Sequence, residues 1–358
     1  MVSMKVLFFL LCVGCIGQAA AQTVVAPTRE LVEDGVKLYD EGKYAEAMAK
    51  YQQALAASPN DKRATSELAL TYNALGRNAE AAALCEKLLK ADPAADVSVY
   101  VTYGNSLDGQ KKTKEAKQVY EQGLKYHPDS YSLYFNQGVA EATGGQIPAS
   151  IASFQQAVVR NPLHASSHMS LGVMQAASKV RIPSILALSR FLVLEPRGNR
   201  AIQRLPLLDE AMMRGVVRTG EKAVTINISE AALKGADGKD KGLDNFGPAE
   251  LLLSLSGASA LEGKQKAATD IERFHKQFAS LCKSLGELSA NQKGFTWEYY
   301  VPYFVEMEKK DYVPAFSYLV HSSQANAPEV QQWLAAHPAE VAVFQEWSKN
   351  YTWPKPKS

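Results

Sequence analysis

The apolar residues in the first half of the chain recur at helical spacing, and the helical segments come in pairs. Each pair is followed by a proline. The intervals between these prolines are 34, 35, 34 and 34 residues, for Pro59, Pro93, Pro128, Pro162 and Pro196. A fixed period of this length is typical of stacked helical hairpins, which bury their apolar faces against their neighbours. The pattern therefore predicts a repeat scaffold over this half of the chain.

Individual positions within the period also agree from one unit to the next. Counting from residue 28, small residues recur at positions 8 and 20, and large residues recur at positions 4, 11 and 24. In the third unit the small residues are Gly104 and Ala116, and the large ones are Tyr100, Leu107 and Tyr120. Small residues let two antiparallel helices approach closely, while large residues fill the space around the contact.

The turns of the hairpins carry a second signature. Gly42, Gly76 and Gly145 all fall at position 15, where a left-handed residue can end the first helix. Together these positions closely resemble the tetratricopeptide repeat family over residues 28–196. The resemblance implies an all-α superhelix of five helical hairpins. Their predicted bounds are 28–61, 62–96, 97–130, 131–164 and 165–198.

The pattern changes after the fifth repeat. Residues 199–217 are apolar enough to cap the last repeat as a helix, with Pro206 bending or restarting it. Residues 218–247 combine a polar loop with one strand, since 224–229 alternate between apolar and polar side chains. That strand pairs either with another extended segment of this chain or with a strand of a partner or second copy. Residues 248–353 form a mainly helical C-terminal module.

Three helical hairpins are predicted within this module. The first turns at Gly263. The second comprises 296–308 and 312–323, and it is repeat-like at most, because Pro302 stands where the family does not carry proline. The third comprises 328–336 and 338–349.

The first residues have the layout of a secretory signal peptide. Lys5 precedes an apolar run, and three alanines that end at Ala21 offer a cleavage site before Gln22. The sequence thus predicts a signal peptide over 1–21 and a mature protein in the periplasm or outside the cell. The alternative is a lipoprotein anchored at Cys15. No later apolar stretch is long enough to span a bilayer, so no transmembrane segment is expected in the mature chain.

Charge and motifs exclude several function classes. The 39 Lys and Arg residues balance 37 Asp and Glu residues, which leaves no strong field to attract nucleic acid. His164 and His168 lie four residues apart, but their places in the repeat favour capping and packing over metal binding. The sequence contains no familiar catalytic or phosphate-binding motif. We expect no cofactor, no metal and no enzyme activity. The alternative is a hidden catalytic site within 218–358.

The cysteines and tryptophans each have two interpretations. After signal cleavage only Cys85 and Cys282 remain, and we expect both to be buried free thiols. The alternative is a disulfide between them, which would need the C-terminal region to fold back onto the second repeat. All four tryptophans lie in the final 62 residues. Their helical spacing favours a compact aromatic core. The alternative is an aromatic platform for sugars or a peptide, and its best candidates are Trp347, Tyr351 and Trp353.

The resemblance to the repeat family also implies a binding surface. In this family the first helix of each repeat lines a concave groove, and positions 2, 5, 9, 12 and 13 generally face the ligand. Carried over, the groove residues are Val32, Val36, Tyr39, Leu70, Asn73, Val101, Asn105, Phe135, Val139, Met169 and Val173. Family members that bind C-terminal carboxylates have a lysine and an asparagine where this chain has Val32 and Val36, so that clamp is absent.

A mainly apolar groove is suited to an amphipathic helix or an extended apolar peptide of a partner protein. The alternative occupant is the protein's own cap or C-terminal helices. The predicted function is a non-enzymatic scaffold for protein–protein interaction in a bacterial cell envelope. A glycan- or peptidoglycan-binding protein that uses the C-terminal aromatic residues is the alternative.

Overall fold

A computed structural model describes residues 28–219, 224–228, 233, 244–262, 269–324 and 326–355. The predicted signal peptide lies outside these residues. The all-α class predicted from the sequence is confirmed, and the described residues contain one short two-stranded sheet besides the helices. The chain divides into two compact units, Met1–Gly145 and Gln146–Ser358.

In the first unit the odd-numbered helices are the first helices of the hairpins, and the even-numbered helices are the second ones. The helices are α1 (28–40), α2 (Tyr44–Ala57), α3 (Lys62–Ala74), α4 (Asn78–Ala91), α5 (Val97–Gly109), α6 (Thr113–Tyr126) and α7 (Tyr131–Thr143). A side chain caps the N-terminus of three of the first helices. Asp61 accepts a hydrogen bond from the Ala64 amide at 2.9 Å in α3, and Asp96 accepts one from the Ser98 amide at 2.8 Å in α5. Ser130 caps α7 in the same way.

The turn between the two helices of each hairpin requires a left-handed residue. The prediction for the three glycines is confirmed, since φ is +76° at Gly42, +73° at Gly76 and +73° at Gly145. Lys111 and Lys179 occupy the same position 15 in the third and fifth repeats, and their φ values are +64° and +62°. The hairpin geometry therefore imposes this conformation even where a lysine must adopt it.

The helices of the first unit cross where the sequence has small residues. Ala47, Ala81 and Ala116, all at position 20, are fully buried. The ring of Tyr120 lies directly against the backbone at Gly104, where no room remains for a side chain. This close approach is the packing that the pattern of small and large positions predicts.

The second unit begins with helices of the same kind. They are α8 (Ile147–Arg160), α9 (Ala165–Ala177), α10 (Arg181–Leu194) and α11 (Asn199–Met213). Two strands follow, β1 (Val216–Arg218) and β2 (Val224–Ile226). The C-terminal helices are α12 (Gly247–Glu262), α13 (Asp270–Leu288), α14 (Phe295–Tyr299), α15 (Val301–Lys309), α16 (Val313–Val320), α17 (Pro328–Ala336) and α18 (Pro338–Asn350), with a 3₁₀ turn at Ser289–Asn291.

The region between α11 and α12 differs from the sequence-based expectation. The capping helix ends at Met213 instead of continuing to residue 217, and Pro206 lies inside it without ending it. Gly215 has a φ of +81°, a conformation that turns the chain out of the helix and into β1. β1 pairs with β2 in antiparallel register, with Val216 opposite Ile226. The partner of the predicted strand is therefore another extended segment of the same chain.

Helix α10 forms the centre of the second unit. All of its residues from Arg181 to Val193 are buried. It packs against α9, α11, α12 and α16. Apart from two arginines and two serines its side chains are apolar on all sides, which is the composition expected of a helix that is surrounded by other helices.

The turn between α15 and α16 of the C-terminal module has the same geometry as the turns inside the repeats. Asp311 has a φ of +57°, and the Tyr312 amide donates to the Met307 carbonyl at 3.0 Å, as the Lys43 amide does to Leu38 at 2.9 Å. The helix predicted over 296–308 is divided into α14 and α15, because Pro302 begins the first turn of a new helix.

Candidate partner-binding surface and aromatic cluster

The groove residues of the first unit lie on its first helices. We use the name first-helix face for the half-exposed or exposed members of this set, which are Val36, Tyr39, Leu70, Asn73, Val101, Asn105, Phe135 and Val139. Val139 is the most exposed of its apolar members, at 39%. Val32 is 2% exposed and packs in the cluster that includes Ala47 and Tyr51, so it supports the face from below.

The two amides of the first-helix face are held by neighbouring helices. The Asn73 amide nitrogen donates to Ser106 Oγ at 3.0 Å, and to Asn78 Oδ1 at 3.3 Å. The Asn105 amide oxygen accepts from the Tyr120 hydroxyl at 2.8 Å. Asn73 thus retains its carbonyl oxygen as an acceptor, and Asn105 retains its NH₂ group as a donor. Both groups are positioned before any ligand arrives.

Position 11 of the fourth repeat holds a buried glutamate. In the first three repeats this position holds an apolar or aromatic side chain, whereas here it holds Glu141, which is buried. It forms an ion pair with Lys117 at 3.2 Å and accepts a hydrogen bond from Gln137 at 3.1 Å. A buried carboxylate needs such partners, because isolated burial of its charge is costly.

The remaining predicted groove residues belong to the second unit. Met169 and Val173 lie on α9 and are half-exposed. The C-terminal module contacts other positions: the Tyr299 hydroxyl donates to the Val158 carbonyl of α8 at 2.7 Å, and Tyr300 bonds His168 of α9 at 2.7 Å. Within this unit the module therefore packs on the side of α9 that carries His168, and Met169 and Val173 remain half-exposed.

His168 has a defined protonation state in this contact. Its Nε2 lies 3.0 Å from the Pro162 carbonyl, which can only accept, so Nε2 carries the proton. Its Nδ1 then accepts from the Tyr300 hydroxyl. Burial, and next the charge of Arg190, hold the pKa of His168 well below its ordinary value. His168 is thus a packed neutral histidine, and His164 is a neighbour at the start of α9 that bonds Ser167 at 2.7 Å.

The candidate platform residues lie together in one aromatic cluster. Trp353 stacks on Tyr299 and Tyr303, with ring centroids 4.7 Å and 5.0 Å apart. Trp347 stacks on Tyr303 at 4.9 Å, and Tyr351 contacts the same ring edge-on at 5.0 Å. All three residues are half-buried. Their ring surfaces are used for packing inside the second unit, and their use as a platform stays a prediction.

One cavity of the second unit lies beside Arg181. Its volume is about 550 Å³, and its lining includes Lys179, Arg214 and Glu250. Arg181 donates to the Ala211 carbonyl at 2.7 Å and to Ser254 Oγ at 2.8 Å, so it caps the end of α11. Burial lowers the pKa of Arg181 to about 10 and raises that of Glu250. The described lining contains no nucleophile hydrogen-bonded to a base.

Three further findings concern chemistry that the sequence raised. Cys85 and Cys282 are free and buried, as predicted. Across the part of the chain that the structure describes, no three His, Cys, Asp or Glu side chains are grouped to hold a metal ion. No helix in that part is long and apolar enough to cross a membrane.

Comparisons with known proteins identify the repeats. Two family models, both described as tetratricopeptide repeat, match residues 38–101 and 103–158. A wheat (Triticum aestivum) protein named Hsp70-Hsp90 organizing protein is 32% identical over 101 residues, which is 28% of this chain and 17% of that protein. Hsp70-Hsp90 organizing protein 3 of Arabidopsis thaliana is 35% identical over 101 residues, 27% of this chain and 17% of that protein. The chain thus spans less than a fifth of these relatives' length.

A solved structure of a thermophilic TPR protein of Thermus thermophilus is similar to this chain at 19% identity. The TM-score is 0.44, and the alignment covers 52% of this chain and 98% of the other.

Proposed function

Because the chain belongs to the tetratricopeptide repeat family, we propose that it is a scaffold for protein–protein interaction that binds its partner on the first-helix face. The observation that carries this proposal is the recurrence of accessible apolar side chains on successive first helices, from Leu70 through Val101 to Val139. Accessible apolar side chains that recur along one face of a repeat protein are typical of a protein-binding surface.

The chemistry of the face defines the class of partner. Its accessible side chains are apolar or aromatic, and its two amides offer one acceptor and one donor. An amphipathic helix or an extended apolar peptide matches this pattern, since apolar side chains fill the face and the amides bond main-chain groups. The names of the wheat and Arabidopsis relatives refer to Hsp70 and Hsp90. We do not propose a peptide with a C-terminal carboxylate as the partner of this chain, because Val32 and Val36 stand where family members that bind such a carboxylate have a lysine and an asparagine.

The proposal also includes the compartment. The basic residue, the apolar run and the alanines before Gln22 support export and cleavage after Ala21. The scaffold would then act in the cell envelope, on partners that are themselves exported. N-terminal sequencing of the protein from its native host tests this directly, with Gln22 expected as the first residue. A lipid-modified Cys15 supports the anchored alternative, and an intact Met1 in the cytoplasmic fraction contradicts export.

Partner binding is tested with three variants of the mature protein. Wild-type protein is used to isolate a partner from the envelope fraction, and the purified partner is then titrated against Phe135→Asp, Val139→Asp and Val343→Asp. Val343 is 54% exposed on α18 and provides a matched control outside the first-helix face.

We expect the two variants of the first-helix face to lose binding and Val343→Asp to retain it, because a charge on the face must be desolvated against apolar side chains. Circular dichroism checks that each variant is folded. Equal binding by all three variants would exclude the first-helix face as the site.

A further inference from the structure

Arg190, near the end of α10, is a fully buried charge without a counter-ion. Its guanidinium donates to Ser348 Oγ at 2.6 Å, to the Pro162 carbonyl at 3.4 Å and to the Tyr303 hydroxyl at 3.5 Å. All three acceptors are neutral, and no carboxylate among the described residues pairs with it. A buried charge with no opposite charge is strongly destabilising, so the surroundings of Arg190 require an explanation.

The same region has more hydrogen-bond donors than acceptors. The Arg190 Nε–H and the Trp353 Nε1–H are both buried without an acceptor in the described structure. The hydroxyls of Tyr303 and Ser348 share one hydrogen bond of 2.7 Å, and both oxygens already accept from Arg190. The two hydroxyl groups have two hydrogens but share one hydrogen bond, so one hydroxyl hydrogen has no acceptor in this pair.

The donors belong to one cluster. The Arg190 Cζ lies 5.1 Å from the centre of the Trp353 ring and 5.3 Å from that of Tyr303. Cation–π contacts of this kind offset part of the charge, but they satisfy no N–H group. His168 is neutral. Burial raises the pKa values of the Tyr299 and Tyr300 hydroxyls, so neither phenol carries a negative charge that could compensate the guanidinium.

A water molecule does not solve this problem well. Water would accept from two donors, but its own two hydrogens then need acceptors. The Pro162 carbonyl already accepts from both His168 and Arg190. A ligand that only accepts, and that carries one negative charge, satisfies the donors and compensates the guanidinium together.

We propose that Arg190, Trp353 and the Tyr303–Ser348 hydroxyl pair form a binding site for one small monovalent anion, such as chloride. The anion accepts from Arg190 Nε, from Trp353 Nε1 and from the remaining hydroxyl. Because Arg190 is on α10 and Trp353 is in the segment after α18, the anion connects the fifth repeat to the end of the C-terminal module. The site is independent of the proposed partner-binding surface.

The proposal predicts that the stability of the second unit depends on chloride. A ligand that binds only the folded state stabilises it by mass action. We expect the midpoint of thermal unfolding to rise by roughly 3–5 °C for each tenfold increase in chloride above its dissociation constant. The signal is tryptophan fluorescence, since all four tryptophans lie in this unit. Ionic strength and pH are kept constant by replacing chloride with gluconate, a much larger monovalent anion.

Three variants assign the effect to the cluster. Trp353→Phe keeps a stacking ring but removes the N–H, and Arg190→Met removes the charge. Trp333→Phe is the matched control, because Trp333 stacks on Tyr318 outside the cluster. We expect the chloride response to be weakened in Trp353→Phe, absent in Arg190→Met and unchanged in Trp333→Phe.

Two results would overturn the proposal. One is an equal response of the wild-type protein to chloride and gluconate, and the other is a full chloride response in Trp353→Phe. If Arg190→Met does not fold, crystals of the wild-type protein in bromide provide the second measurement. Anomalous scattering should then place a bromide ion within hydrogen-bond distance of Arg190 Nε, and its absence there contradicts the site.

Discussion

Replacement of Gly104 by alanine tests the packing at a helix crossing of the repeat scaffold. Gly104 lies at position 8 of the third repeat, against the fully buried ring of Tyr120. A methyl group on Gly104 would lie 2.7 Å from the Tyr120 hydroxyl oxygen and closer still to two of its ring carbons. Ordinary contacts require well over 3 Å, so the ring or the helix must move.

The expected magnitude follows from two opposing terms. Overpacking of a close-packed core costs about 1–3 kcal/mol, and the severity of this overlap places Gly104→Ala near the upper limit. Alanine is favoured over glycine inside a helix by about 1 kcal/mol. The net loss of unfolding free energy is therefore about 2 kcal/mol. Tyr120 cannot rotate away freely, because its hydroxyl donates to Asn105.

The assay is urea unfolding followed by far-UV circular dichroism, with Gly144→Ala as the matched control. Gly144 ends α7 with φ at −79°, and a methyl group there meets its nearest atom at 3.4 Å. We expect this control to be neutral or slightly stabilising. Tryptophan fluorescence, which reports on the second unit, should change less than circular dichroism for Gly104→Ala. Equal stability of Gly104→Ala and Gly144→Ala would refute the packing argument.

Further predictions concern strain, acid stability, a buried hydrogen bond and the thiols. Lys111→Gly should raise the unfolding free energy by up to about 1 kcal/mol, because glycine adopts the left-handed conformation without strain; a clear loss in urea unfolding would contradict this. Since the folded pKa of His168 lies below its unfolded value of about 6.5, the unfolded state binds the proton first. The contribution of neutral His168 to stability should be fully present above about pH 6.5 and should decrease as the pH falls toward the folded pKa; urea midpoints that do not change with pH would contradict this. Tyr300→Phe leaves Nδ1 of His168 without its donor and should cost about 1–3 kcal/mol; an unchanged midpoint would mean that this bond is unimportant. Burial raises the pKa of Cys85 to about 12 and that of Cys282 well above normal, so neither thiol should react with a disulfide reagent until the protein unfolds, and rapid reaction of the native protein would refute their burial.

The repeat half of the fold could be predicted because each matched position has one physical requirement. Small residues at helix crossings and glycines in turns restrict the backbone locally, and Gly42 and Gly76 adopt the conformation that this logic requires. The same logic did not single out Lys111 and Lys179, since a lysine gives no signal of a left-handed turn. Only the geometry of the repeated hairpin shows that they share it.

The second half depends on contacts between distant parts of the chain, which the local pattern does not reveal. The pairing of β2 with β1 arises because Gly215 ends α11 early. The hydrogen bond between His168 and Tyr300 joins residues 132 positions apart. The sequence indicated a buried His168, but the aromatic cluster that receives it became visible only in the folded chain.

The central claim is that a partner protein binds the first-helix face, and site-specific photo-crosslinking in the native host tests it most directly. A photoreactive phenylalanine analogue is introduced at Val139 on the face and, separately, at Val343 on α18, since both positions are accessible. We expect a discrete crosslink to another protein from position 139 and none from position 343. The same crosslinked protein from position 343, with none from position 139, would contradict it.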